Sequence, residues 1–256
     1  MQKRGIWAIC LLVFGVLATA TSLRAQAEDE GKAPMYIYVS QWAVPRAQWA
    51  EMAKSEDADR GLMDKLVADG TITGYGEFRN LIHAEGQPTH GDWFTATSEG
   101  NILKALEAFY ARPDVAAPVR AASKHWDYFL VSTLHKERSG KFEGAYLSGS
   151  RWEVKAGQGE AFRNLLKSRI VPILEKLLAD GVLVFYTVDA EDYHTQEPGV
   201  VEVVLATVDA SGMDKVSDAF EAAFSKDTEL GPAMRALTKG ESHRDFLARV
   251  THMASK

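Results

Sequence analysis

The amino-acid sequence predicts an α+β fold made of two tandem βαββαβ units, and three observations carry that prediction. The phrase "KLVADGTITGY" at Lys65 returns as "KLLADGVLVFY" at Lys176, 111 residues later. "YIYVSQWAV" returns as "YLSGSRWEV" at an offset of 110, matching Tyr36 with Tyr146, Ser40 with Ser150, Trp42 with Trp152 and Val44 with Val154 on one strand parity. "KHWDYFLVS" and "SHRDFLARV" share His-x-Asp followed by an aromatic residue. Ordered matches along a chain mark a duplicated unit.

Each element has its own signal. In the first strand, Ile37, Val39 and Ala43 on one parity oppose Tyr36, Tyr38, Ser40 and Trp42 on the other. Helices usually cover the aliphatic side of such a strand, so the mixed side is expected to face the space between two sheets. A helix follows in each copy. In the second copy Phe162, Leu166, Ile170, Leu174, Leu177 and Leu178 recur at helical spacing, and in the first Met63, Leu66 and Val67 do so. Gly70 and Gly181 then stop these helices by taking the left-handed conformation. The second strands, "TITGYGEF" and "VLVFYTVD", carry Tyr75 and Tyr186, with His83 and His194 beyond them at the same offset of 111. "WFTAT" and "VVLAT" read as third strands, "GNILKALEAFYA" and "SGMDKVSDAFEAAF" as second helices, and the His-x-Asp segments as fourth strands.

This order is that of the ferredoxin-like unit, an antiparallel sheet with its helices on one face. In the second unit Val182, Val184 and Tyr186 alternate with Leu183 and Phe185, so neither face of that strand is wet. Packing of one sheet against the other would cover both. The expected units are residues 35–135 and 143–253, joined by a linker at 136–142 within the polar stretch "HKERSGKFEG".

On element order and duplication, with Trp-x-Val, Ala-Asp-Gly and His-x-Asp as internal signatures, the sequence resembles the dimeric α/β-barrel superfamily in its tandem, single-chain form, from roughly Met35 to Met253. The resemblance implies two ferredoxin-like repeats packed sheet to sheet as a pseudo-symmetric barrel, complete without an oligomeric partner, with a pocket between the sheets. It also implies precedents for function: small monooxygenases, isomerases and haem-linked oxidoreductases. The Gly-x-x-Asp-Gly motif of one peroxidase group is missing from this chain.

The N-terminus reads as a secretory signal over residues 1–27. Lys3 and Arg4 precede an apolar run from Ile6 to Ala20, and Ala25-Gln26-Ala27 offers small residues for cleavage. The run is shorter than the ~20 residues that span a bilayer. Cleavage after Ala27 leaves a secreted or periplasmic chain with no further membrane span. It also removes Lys3, Arg4 and Arg24, so 29 basic residues become 26 against 35 acidic, a net charge of 26 − 35 = −9. That charge argues against nucleic acid as a partner. Cys10, the single cysteine, lies inside the leader, which excludes a disulfide, a thiolate nucleophile and Cys metal ligands from the mature protein.

The candidate ligand-binding residues come in pairs. His125 and Asp127, and again His243 and Asp245, are two apart in a strand and share a face, where a carboxylate can orient and polarise an imidazole. His83 and His194 stand at strand ends, Tyr75 and Tyr186 within strands, and Trp42 and Trp152 on the mixed face. Adding His83 or His194 to a His-x-Asp pair would give two histidines and one carboxylate, the ligand set of non-haem iron sites, if the fourth strand met the second there. No metal or cofactor is assigned on that basis. His90, His135 and His252 have no repeat partner and read as surface residues. There is no Gly-x-Ser-x-Gly elbow, and Ser40 and Ser150 would need a base that the sequence does not place. Three readings stay open: a small-molecule pocket for an apolar or aromatic ligand, a cofactor- or metal-dependent oxidoreductase of monooxygenase type, and a non-catalytic structural or partner-binding module. Of the paired sites the second is favoured, because Arg244, in the place of Trp126, would add a cationic contact for an acidic ligand if its side chain curls round the strand edge.

Overall fold

Two hydrogen-bonded seams close the sheet on itself. The computed structural model describes residues 33–112, 115–193 and 199–256, so the expected leader and His194 lie outside the described residues. The strands are β1 (Met35–Trp42), β2 (Gly74–Asn80), β3 (His90–Ala96), β4 (His125–Glu137), β5 (Gly140–Phe142), β6 (Tyr146–Glu153), β7 (Leu183–Tyr193), β8 (Val200–Thr207) and β9 (Arg244–Ser255). The sheet order is β2-β3-β1-β4-β7-β8-β6-β9-β5, and β9 pairs again with β2. The result is a closed antiparallel barrel of eight strands, with β5 as a short extra strand on β9.

This differs from two sheets stacked face to face. The halves meet edge to edge, β4 on β7 from Phe129↔Tyr193 to Glu137↔Phe185 and β9 on β2 from Ala248↔Asn80 to Ser255↔Gly74. The physical reason lies in the fourth strands. At 13 and 12 residues, β4 and β9 are long enough to pair with the first strand of their own half and then with the second strand of the other. Closure removes every unpaired edge of these strands. The segment expected as a linker is used in the same way: Lys136 and Glu137 complete β4, and Gly140–Phe142 pair with β9.

Register corrects one sequence match. Val39 pairs with Trp93, and its repeat equivalent Gly149 pairs with Val204, so "WFTAT" and "VVLAT" are offset by 111 in space and not by the 110 at which their letters agree.

Helices cover the outside of the barrel. They are α1 (Trp49–Ala68), α2 (Glu99–Tyr110), the short α3 (Ala117–Arg120), α4 (Gly159–Leu165), α5 (Val171–Ala179), α6 (Ala210–Lys226) and α7 (Leu230–Leu237). Ser98 and Asp209 cap α2 and α6 by accepting from the backbone N–H groups of Asn101 and Gly212. The helix expected through Phe162 and Leu178 forms, but a π turn over Leu166–Ile170 divides it into α4 and α5. Pro172 has no N–H to continue the regular ladder there.

Three apolar clusters hold the layers together. Ile72, Phe94 and Ile102, with Tyr36 and Tyr38 against them, fill the space under α1 and α2. Phe162, Leu166, Leu174 and Leu183, with Val188 and Val203, do the same under α4–α7. Inside the barrel Phe78, Leu147, Phe185 and Val250 pack with Val39, Trp93 and Phe246. The two faces of β1 are therefore reversed from the expectation: the aliphatic side faces the barrel interior and the tyrosines lie under the helices. In a closed barrel covered by helices both faces are dry, so aliphatic content does not distinguish them.

Gly70 and Gly181 have φ of 81° and 76°, the left-handed values that stop a helix. A Cβ on Gly181 would meet no atom within 4 Å, so only backbone strain opposes a side chain there. Gly181→Val is expected to lower stability by about 1–2 kcal/mol, measured as a shifted denaturant midpoint with unchanged slope.

Candidate functional site

The barrel interior contains a cavity of about 870 Å³, inside the range of roughly 300–1,000 Å³ usual for small-molecule sites. Its walls are aliphatic at Ile37, Val39 and Leu130 and aromatic at Trp93, Trp126, Tyr128 and Phe185. Glycines on the same face make room for the rings. A Cβ on Gly76 would overlap the ring of Trp93, and one on Gly149 the ring of Phe246. Trp93 sits between Phe78 and Phe185, with ring centroids 5.9 and 6.1 Å away.

One row of side chains breaks this apolar wall. Register across the second half sets Asp189 opposite Glu202, Glu202 opposite Arg151, and Arg151 opposite Arg244. The corresponding row of the first half is Phe78, Gly91, Gln41 and Trp126. Arg151 reaches Glu202 at 3.6 Å and Glu191 at 3.7 Å, and its guanidinium lies 5.8 Å from the Tyr128 ring centroid. The Glu191 side chain is 1% exposed, so this ion-pair group is shut off from water on one side. Asp189 is 3% exposed; its Oδ2 accepts from Thr187 Oγ1 at 2.6 Å, and Ser132 lies opposite it on β4. Burial pushes the Asp189 carboxyl up to about 7, with hydrogen bonds from Thr187 and Ser132 opposing the shift and the Glu202 charge adding to it. Burial also raises Glu202, against the pull of Arg151.

The outer face carries the opposite distribution. Under α1, Glu77, Asp92, Ser40 and Asp127 form a row across β2-β3-β1-β4, whereas the equivalent row of the second half is Val188, Val203, Ser150 and Asp245. Arg60 of α1 holds Glu77 at 2.7 Å. Burial, and then the Glu77 charge, lift Glu56 to about 8, and burial with the neighbouring carboxylates lifts Asp92 well above its usual range.

Of the residues expected from sequence, Tyr75, His83, Tyr186 and Asp245 line the cavity, whereas Trp42, His125, Asp127, Trp152 and His243 do not. His125 and Asp127 do meet, at 3.0 Å, and so do His243 and Asp245, at 3.1 Å. Each histidine stacks on its tryptophan, His125 on Trp42 with centroids 5.3 Å apart and His243 on Trp152 at 5.0 Å. Ser40 donates to Asp127 at 2.7 Å, and Ser150 to Asp245 at 2.6 Å. Ser40 Oγ also lies 2.8 Å from His125 Nε2, the ring nitrogen that faces Asp127. In a nucleophile relay the acid holds the other ring nitrogen, so this group latches strands and does not activate the serine. Both histidines are about half exposed.

His83 does not join the first pair: its ring lies against Trp49, 5.9 Å between centroids, and it lines the cavity from the β2–β3 loop. Among the described residues no three His, Cys, Asp or Glu side chains are grouped as a metal would need. Tyr75 and Tyr186 tie their strands to the preceding helices by donating to Asp64 at 2.9 Å and Glu175 at 3.4 Å. The three histidines expected on the surface are placed otherwise. His90 is buried edge-on to Trp49, and burial lowers it to about 4; His252 is buried 3.1 Å from the Tyr75 hydroxyl; His135 lines the cavity.

The interior row was absent from the sequence-derived candidates, yet it left a signal. Thr187, Asp189 and Glu191 recur at a step of two in a strand otherwise buried, and Glu202 interrupts the run "VVEVV". Polar side chains of one parity inside a dry strand indicate a shared polar spot on that face.

No family model and no curated protein matches the chain. Solved structures do. A "putative monooxygenase" from Lactobacillus acidophilus NCFM is 11% identical over 88% of this chain and 97% of its own, with a TM-score of 0.65. One from Fusobacterium nucleatum is 10% identical over 88% and 96%, at 0.61, and an anthrone oxidase-like protein is 12% identical over 88% and 94%, at 0.55. At such identities the likeness establishes the α+β barrel fold.

The raised Asp189 carboxyl has a consequence for stability. The unfolded chain ionises this group near 3.8 and the folded chain near 7, so the native state keeps the proton longer and loses stability as pH rises between those values. Asp189→Asn removes that loss. Its melting temperature should equal the parent's near pH 4 and exceed it increasingly up to pH 7–8, by an amount equivalent to a few kcal/mol.

Proposed function

We propose that this chain is an exported small-molecule barrel, formed by two ferredoxin-like units at residues 35–135 and 143–253 joined through 136–142, and that its interior cavity holds a small apolar or aromatic molecule. The observation that carries this reading is the cavity itself: about 870 Å³, walled by aromatic rings, with one polar row on its second-half side, in which Asp189 is buried. A solid core would stabilise a barrel of this size better than a hollow one, since unfilled volume forfeits packing contacts. A retained cavity with a few placed polar groups is the form of a binding site.

An oxidoreductase of monooxygenase type is the second reading, and Asp189 favours it. A carboxyl beside the cavity that ionises near neutrality suits proton transfer to or from a bound molecule. The fold likeness to proteins described as monooxygenases is compatible with that role.

Export rests on the leader composition, and no helix among the described residues is long and apolar enough to cross a membrane. Protein purified from its host should begin at or near Glu28 by mass spectrometry; a retained Met1–Ala27 would contradict export with cleavage.

The binding reading is tested with a neutral aromatic, 1-naphthalenemethanol, by calorimetry. The parent protein should bind it, and Val204→Phe, which fills the cavity wall, should weaken binding about tenfold or more while the fold melts cooperatively. Equal binding by both proteins would move the site elsewhere. An absorbance spectrum and metal analysis of protein from its host addresses the oxidoreductase reading, since a cofactor band or stoichiometric metal would favour it at once.

A further inference from the structure

We propose that the ligand of the cavity is an aromatic acid, whose anionic group is held at the mouth beside the β2–β3 loop by Arg46 and Arg79, next to Trp49 and His83. The proposal rests on the reading that the cavity binds a small aromatic molecule, and it adds the charge class of that molecule and the end at which its charge sits.

Three observations support it. The first is that two arginines gather on one indole without an acid. The guanidinium carbon of Arg46 lies 3.9 Å from the Trp49 ring centroid and that of Arg79 5.6 Å. In a chain with 35 acidic residues against 29 basic, arginines readily find carboxylates, as Arg60, Arg112, Arg151 and Arg169 do. Arg46 and Arg79 form no ion pair among the described residues. The acid that feels the Arg79 charge is Glu56, which burial and then Glu77 raise to about 8, so near neutrality it brings little charge to balance that arginine. A guanidinium stacked on a ring still presents its N–H edge to a carboxylate. The second observation is that the platform is fixed and its surroundings are positive. Trp49 Nε1 donates to the Val44 carbonyl at 3.1 Å, and His90 stands edge-on to the indole at 5.2 Å. Burial, followed by the charges of Arg79 and His83, brings His90 down to about 4, and no acid opposes that shift. The third is the place of His83. Its ring lies 5.9 Å from that of Trp49 and it also lines the cavity, so the cationic cluster and the aromatic interior adjoin at this residue. Arg46, Arg79 and His83 are all exposed, which leaves the cluster open to an arriving anion.

The pattern is particular to the first half. Arg79 pairs with His90 across β2 and β3, and the pair equivalent by register in the second half is Ala190 with Val201, neither of which is charged. The cationic mouth is thus a local feature of one side of the barrel and not a consequence of its closure.

The test is a matched pair of ligands on the purified protein, by calorimetry at pH 7.5 and low salt: 1-naphthaleneacetate as the anion and 2-(1-naphthyl)ethanol as its neutral form. The acetate is expected to bind about fivefold or more tighter than the alcohol, the modest gain that exposed charged contacts give, and high salt should shrink the preference. Arg46→Gln combined with Arg79→Gln should bring the acetate to the level of the alcohol and leave the alcohol within about twofold. Both side chains are exposed, and cooperative melting of the double variant checks its fold. Val204→Phe, which fills the cavity wall, should weaken both ligands. If the alcohol binds and the acetate binds no better, the charge inference fails while the cavity reading stands. If neither binds, the cavity reading fails and the inference falls with it. If the preference for the acetate survives the double substitution, the assignment to these arginines is wrong. Acetate binding that is unchanged in Val204→Phe would put the anion apart from the cavity and overturn the claim that one ligand occupies both.

Discussion

Everything in this molecule depends on closure of the barrel by the two long fourth strands. Because β4 and β9 each pair with both halves, every strand of the barrel has a neighbour on both sides, and the inner faces surround one interior. That enclosure changes the chemistry of a polar group buried inside it. On an open sheet Asp189 and Glu202 would be hydrated surface carboxylates. Inside the barrel their ionisation is opposed by lost solvation, and they must share what cation there is. The cavity and its perturbed acid follow from the same two seams.

The two halves of the barrel also keep their charge on opposite sides. In the first half the acidic row lies outside, under α1, where Arg60 meets Glu77 and the barrel side is apolar. In the second half the outer row is Val188 and Val203 under the helices, and the acids lie inside with Arg151. Each half thus buries one charged face and one apolar face in opposite order. The result is an interior with an aromatic side and a charged side, an asymmetry that two identical halves could not provide. The latches of Ser40, His125 and Asp127 and of Ser150 and Asp245 are kept in both halves, and of these residues Asp245 alone lines the cavity.

The fold was legible wherever a residue has one physical use. Gly70 and Gly181 announce helix ends because left-handed backbone favours glycine, and the paired His-x-Asp segments announced the fourth strands. The site was less legible, for two reasons. First, a face assignment read from aliphatic content fails when both faces of the strand are dry, so Ile37 and Val39 were expected under the helices and line the cavity. Second, repetition pointed to residues that the two halves share: Tyr75 and Tyr186 tie strands to helices while lining the cavity, and His125 and His243 stack on Trp42 and Trp152. The charged row is where the halves differ. Asp189 matches Phe78, and Arg151 matches Gln41, so a search for duplicated motifs passes over it.

The burial and ionisation of Asp189 are the center of this account, and NMR measures them directly. With the aspartate side chains carrying ¹³C, the Asp189 carboxyl resonance is followed through a pH titration of the folded protein and assigned by its loss in Asp189→Asn. The account predicts a midpoint near 7. A midpoint near 4, the ordinary value for a hydrated aspartate, would mean that this carboxyl is open to solvent, and would contradict an enclosed interior with a buried acid beside its cavity.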